Sequence, residues 1–168
     1  INVSPPEPKI RVEPTTLHFG EVEIGDDKLE VVTIYNDGDA TLTINSITRR
    51  SGDPDFKYYP FDIPDTRPPF DIPPGDSRDI CFKFEPSTLG FKSAEFKISS
   101  NDPKNPDVTV YMDGTGTDKT PPETWHSLSP VSPDGENGWY ISPVKVTLSA
   151  TDDGSGVDYI KYKIDNDP

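Results

Sequence analysis

Apolar residues in this 168-residue chain recur at every second position in short runs and almost never at helical spacing. Ile80, Phe82 and Phe84 alternate with Cys81 and Lys83, and Ala94, Phe96 and Ile98 alternate with Glu95 and Lys97. Val32 with Ile34, and Val108 with Val110 and Met112, follow the same rule. Alternation of this kind puts one side of an extended segment against a core and leaves the other in water. The chain carries 20 Pro and 12 Gly, spread as punctuation between these runs, which fits many short turns and leaves no uninterrupted helical pattern.

Read in order, the runs predict a first Pro-broken edge strand made of Ile10 to Val12 and Leu17 to Phe19. Strands follow at Leu29 to Tyr35, around Leu42, Ile44 and Ile47, and at Phe56 to Phe61. Asp37, Gly38 and Asp39 form a turn, and Asp62 to Asp76 is expected to be an irregular, Pro-rich loop. Arg78 to Phe84, Phe91 to Ser99 and Val108 to Met112 complete the set. About seven to nine short strands over some 110 residues is the count for one two-sheet sandwich.

A polar link carrying Asp118, Pro121 and Pro122 then divides the chain. Domains are expected at 1–117 and 123–168, with 118–122 between them. In the second region Trp139 to Ile141, Val144 to Ala150 and Val157 to Ile164 read as strands, with Val146 and Leu148 on one face and Ile160, Tyr162 and Ile164 on another. Three or four strands are too few for a sandwich, so this region is expected to be an incomplete domain that ends before its last strands. The start at Ile1, without Met, suggests a processed or excised piece.

Composition narrows the function. Only 31% of residues are hydrophobic, yet 10% are aromatic, more than disordered chains carry and enough for thin cores. The formal charge of -14 argues against nucleic acid and anionic lipid as partners and favours divalent cations. No run is long enough to insert into a membrane. Cys81 is the sole cysteine, read as an ordinary strand residue, so no internal disulfide exists.

Catalytic chemistry finds little support. His18 and His126 fall in different regions, His18 within a strand, and no phosphate loop, serine elbow or zinc spacing is present. Asp152, Asp153 and Asp158 surround Gly154 and Gly156, a flexed loop of hard oxygen donors that is a candidate Ca²⁺ site, although it lacks EF-hand spacing and also reads as a solvated turn. Asp118 would stiffen the joint if another acid lay near it. Tyr58, Tyr59 and Phe61, and Trp125, Trp139 and Tyr140, are aromatic groups of the kind that stack on sugars; Trp139 and Tyr140 are the candidate glycan contacts, against a role in core packing. Asn2, Val3 and Ser4 match the N-glycosylation acceptor pattern at Asn2.

Several short motifs recur in a fixed order: Pro14, Leu17, Phe19, Gly20, Val22, Ile24 and Gly25; Val32, Ile34, Asn36 and Gly38; Leu42 and Ile44; Pro73, Gly75 and Ser77; Phe84, Pro86 and Gly90; Ser99, Asn101 and Pro103; Gly114 and Gly116. Through these, about residues 7–117, the chain resembles the ASH or Hydin-type immunoglobulin-like domain, a fold related to the major sperm protein. Thr120, Pro122, Gly138, Trp139, Tyr140, Val144, Leu148, Ala150, Gly154, Gly156, Val157, Tyr162 and Asp165 are similar to the tandem Ig-like repeats of bacterial and archaeal secreted proteins. The resemblance implies an all-β protein: an immunoglobulin-like β-sandwich with a second, incomplete Ig-like β region. It also implies a non-catalytic structural or adhesive module of a prokaryotic cell-surface or secreted protein, extracellular in location, that spaces domains or mediates protein contacts. Such a module would meet a protein partner or neighbouring subunit, by strand addition among other modes. A carbohydrate-binding accessory of a secreted hydrolase and a ciliary or centrosomal scaffold are the alternatives.

Overall fold

The computed structural model describes residues 5–60 and 66–163. Contacts divide the chain into two compact units, Ile1–Thr117 and Asp118–Pro168.

Among the described residues the first unit has nine strands: β1 Ile10–Glu13, β2 Thr16–Glu23, β3 Lys28–Asn36, β4 Leu42–Gly52, β5 Phe56–Tyr59, β6 Phe70–Ile72, β7 Ser77–Phe84, β8 Gly90–Ser100 and β9 Asp107–Thr117. They form a four-stranded sheet ordered β1-β3-β7-β5 and a five-stranded sheet ordered β2-β9-β8-β4-β6. All pairings are antiparallel except β2 with β9, which run parallel.

Two expectations are corrected here. The segment broken by Pro14 is not one strand: β1 joins the smaller sheet and β2 the larger, each at an edge. Pro14 lacks the N–H that would continue a ladder, so the chain leaves one sheet there and enters the other. Within the stretch read as a loop, Phe70 and Ile72 form β6, pairing with Ile44 and Leu42. Both side chains are buried, so period-two burial holds even across three residues.

The inner faces of the sheets make one core. Val32, Ile34, Phe56, Ile80, Phe82 and Phe84 come from the smaller sheet, and Phe19, Leu42, Ile44, Phe96, Ile98, Val110 and Met112 from the larger. Each fully buried side chain of this kind contributes about 1.5–3 kcal/mol. Two aromatic contacts stitch the layers, Phe19 edge-on to Phe56 at 5.5 Å and Phe82 edge-on to Phe96 at 5.0 Å, and within the smaller sheet Phe56 stacks on Phe84 at 4.4 Å. Gly114 lies directly against the Phe84 ring, where a Cβ would come within 2.6 Å of a ring carbon. Gly20, at the irregularity within β2, and Gly25, in the turn that follows it, have positive φ, +69° and +96°.

Polar groups tie the sheets together at one end. Asn36, buried at the end of β3, donates from Nδ2 to the carbonyls of Ala40 (2.8 Å) and Ile72 (2.9 Å). Its Oδ1 accepts from the N–H groups of Lys9 (3.3 Å) and Gly38 (3.1 Å). Ile72 belongs to the opposite sheet, so one side chain spans both layers. Asp102, equally buried between β8 and β9, accepts from Ile10 N–H of β1 (2.8 Å) and from Lys104 (2.8 Å) and Asn105 (3.1 Å). Burial raises the Asp102 pKa, but these three N–H donors outweigh it and hold the carboxyl below the usual range. On the outer faces several acids accept from hydroxyls directly across a ladder, Thr33 to Asp79 (2.7 Å), Thr43 to Asp71 (2.7 Å) and Ser99 to Asp107 (2.6 Å). Cys81 is buried, its thiol pKa raised by that burial, as suits an inert strand residue.

The second unit contains β10 Glu123–Ser129 and β11 Lys145–Thr151, an antiparallel pair with His126 opposite Leu148 and Leu128 opposite Val146. Trp139 to Ile141 is not a strand. A 3₁₀ turn at Glu136–Gly138 precedes it, with Asn137 at φ 56°, and Asp134 accepts from the N–H groups of Ile141 (2.8 Å) and Ser142 (3.4 Å). Residues 157–163 form no ladder either, because neither β10 nor β11 pairs with them. Conversely β10 escapes sequence reading because its large residues, Trp125 and Leu128, lie on opposite faces. None of the described residues of this unit is buried, so the core role read for Trp125 and Trp139 is not realised.

Replacing Asn36 by Ala strands two carbonyls and two N–H groups. Urea unfolding should show a loss of about 3 kcal/mol or more. Asp102→Asn turns a donor toward Ile10 N–H and should cost about 1–3 kcal/mol at pH 7. Because the folded pKa is depressed, the Asp102 contribution is complete above the ordinary value of 3.8 and disappears as pH falls through the lower folded value. Below pH 4 the Asp102→Asn curve of stability against pH should therefore be flatter than that of the wild type.

Candidate functional site

Three places gather chemistry-bearing side chains. The first is the outward side of β2, β9 and β8. Cross-strand register arranges it in rows: Thr16, Tyr111 and Glu95; then His18, Asp113 and Ser93; then Glu21, Thr115 and Phe91. His18 Nδ1 lies 3.1 and 2.9 Å from the two Asp113 oxygens. A carboxylate only accepts, so Nδ1 carries the proton. Phe91 is 71% exposed and Tyr111 51% exposed on a surface otherwise built of hydroxyls and charges. Ser51, Phe91, Ser93, Glu95, Tyr111 and Asp113 line a shallow depression of about 290 Å³ here. Its near wall is the irregularity in β4 between Arg49 and Ser51. The sequence pattern did not single out this face, yet parity held the clue: Phe91 is out of phase with Ala94, Phe96 and Ile98, and Tyr111 with Val110 and Met112.

The second place is the loop at 152–156. Asp152 Oδ1 accepts from the N–H groups of Gly154 (3.1 Å) and Gly156 (2.7 Å). Asp118 reaches the same loop, accepting from Ser155 N–H (2.6 Å) and Thr120 N–H (2.9 Å). The bonds from Thr120 and Ser155 hold its carboxyl below the usual range. Asp118 thus does approach the acidic loop, through backbone N–H donors. Among the described residues no three or more His, Cys, Asp or Glu side chains group to hold a metal ion, Asp152, Asp153 and Asp158 included.

The third is the exposed aromatic and aliphatic set of the second unit. Trp139 is 74% exposed, and the Tyr140 hydroxyl donates to Val131 carbonyl oxygen (3.1 Å). On one side of the β10–β11 ladder, Leu128, Val146, Leu148 and Ala150 share a face, where Val146 and Leu148 line a cavity together with Tyr162 and Lys163. Elsewhere Tyr58 is half-buried against the core while Tyr59 is exposed. Asn2 and Phe61 lie outside the described residues.

His18 and His126 fall in separate units, and the thiol of Cys81 is buried. The first unit, two sheets closed on one core, is an immunoglobulin-like β-sandwich. Residues 8–115 match the HYDIN/CFA65/VesB-like, Ig-like domain family, and the chain belongs to it. Among solved structures, the ASH/PapD-like domain 7 of human CEP192 superposes with a TM-score of 0.56 at 12% identity, over 71% of this chain and 92% of that one. A Porphyromonas gingivalis protein of unknown function gives 0.53 at 21% identity, over 64% of this chain and 46% of that one. A family 123 glycoside hydrolase of Clostridium perfringens gives 0.51 at 8%, over 75% and 29%. This chain thus spans less than half the length of the last two. At these identities the likeness is one of fold. No curated protein matches the sequence. No helix among the described residues is long and apolar enough to cross a membrane.

A methyl group at position 154 would collide with the Asp118 carboxylate. Gly154→Ala should break the Asp118–Ser155 contact. Hydrogen exchange at Ser155 N–H should then accelerate while the amides of β7 and β8 keep their wild-type rates.

Proposed function

We propose that the chain is a non-catalytic module of a secreted or cell-surface protein, which spaces neighbouring domains and makes protein contacts through the open ladder of its second unit. The observation that carries this reading is the contrast between the units. The first has a continuous two-layer core. The second has a two-stranded ladder with Val146 and Leu148 exposed and no buried residue among those described. An isolated two-stranded ladder is marginal in water, so its partly exposed apolar face and its edges favour a further layer or an added strand. The first unit supplies a two-layer body of ASH/Hydin type. An acidic surface keeps such a module soluble and discourages nucleic-acid contact.

Hydrogen exchange tests this reading. In the chain alone, the amides of 123–129 and 145–151 should exchange at least about tenfold faster than those of β7, β8 and β9. In the intact secreted protein the same amides should slow, and Leu148→Asp should abolish that slowing. Equal protection in both settings would sink the proposal.

A further inference from the structure

The rows on the outer side of the larger sheet describe a surface with an unusual division of labour. Two large rings stand in water, and the row between them is His18, Asp113 and Ser93. Phe91 and Tyr111 are separated by two pleat repeats along the strands and one strand across, about 14 Å. That span is too wide for the rings to shield each other, and the intervening polar row prevents one continuous apolar patch. A protein partner that relied on hydrophobic contact would find two isolated anchors and a hydrogen-bonding strip between them.

Oligosaccharides have the matching chemistry. A pyranose ring offers an apolar C–H face to an aromatic ring and a rim of hydroxyls to carboxylates and serine. Asp113 Oδ1 and Oδ2 are held by His18 Nδ1 alone among the bonds described, which fixes their orientation and leaves lone pairs for sugar hydroxyls. Glu95 stands across the ladder from Tyr111, and Ser93 follows Phe91 by two residues on the same face of β8, so each ring has an acceptor near it. The depression bounded by Ser51 gives the surface a concave floor. With Glu21, Glu95 and Asp113 on this face and a net charge of -14, uronic or sulfated glycans are repelled.

We propose that this face binds neutral or amino-sugar oligosaccharides, with Phe91 and Tyr111 as stacking platforms and Ser93, Glu95 and Asp113 as partners for the hydroxyls. The site is separate from Trp139 and Tyr140 and does not depend on the contact role of the second unit.

Isothermal titration of the 168-residue chain with hexamers of chitin, chitosan and cellulose, and with hexagalacturonate, tests it. At least one of the first three should bind saturably, and hexagalacturonate should not. Phe91→Ala and Tyr111→Ala should each weaken binding by about tenfold or more. Both residues are exposed, so melting temperatures should stay near wild type, which separates lost binding from lost folding. Trp139→Ala should leave affinity unchanged. Absence of binding to all three, preferred binding of hexagalacturonate, or loss of binding on Trp139→Ala with Phe91→Ala and Tyr111→Ala unaffected, would each overturn the assignment.

Discussion

The sandwich depends on one buried amide. Asn36 sits where β3 leaves its sheet, and its four side-chain hydrogen bonds meet two carbonyls and two N–H groups that would otherwise be orphaned. Hydrophobic burial is non-directional and would hold two greasy faces together in many registers. A satisfied buried amide permits few of them, because any slip leaves several groups unpaired in a low-dielectric interior. Asp102 does the same from the other sheet, and its bond to Ile10 N–H brings β1 into place. Since Asn36 reaches Ile72, the short strand β6 is fixed by it as well. Strand β1, strand β6 and the loop carrying Asp37 and Gly38 are all tied by these two residues.

The core of the first unit was legible because its strands obey parity. Along the middle of β7 and β8 the inward positions are apolar and most outward ones polar, so Ile80, Phe82, Phe84, Phe96 and Ile98 could be placed from the sequence alone; Arg78 and Ser100, in the same phase nearer the strand ends, are polar. What parity does not carry is which strands share a sheet. The separation of β1 from β2 at Pro14, and the parallel pairing of β2 with β9, arise from long-range contacts that no local pattern encodes. Strand β6 was hidden by its prolines and its length. In the second unit the periodicity misled: Ile160 and Tyr162 alternate, but alternation without a neighbouring ladder to bond with does not make a strand.

Candidate chemistry was less legible than fold for a related reason. Pattern reading searches for apolar residues facing in, and so overlooks those facing out. Phe91 and Tyr111 belong to strands whose opposite sides are buried, and their significance appears only when register sets them on one face with Asp113 between them in the rows. The acidic loop shows the opposite failure. Asp152, Asp153 and Asp158 are close in sequence, yet the residue that organises the loop is Asp118, more than thirty positions away, through Ser155 N–H.

The parallel pairing of β2 with β9 has a mechanical consequence. The chain enters this pair at the start of β2 and leaves it at Thr117, which accepts from Ile24 N–H at the far end. Tension that passes β1 and its bonds to β3 and reaches the start of β2 pulls these two neighbours lengthwise in opposite directions. The load is then shared by the whole row of bonds at once, rather than opening them one after another like a zip. Force-bearing capacity is thus built into the strand order, independently of how much apolar surface the sandwich hides.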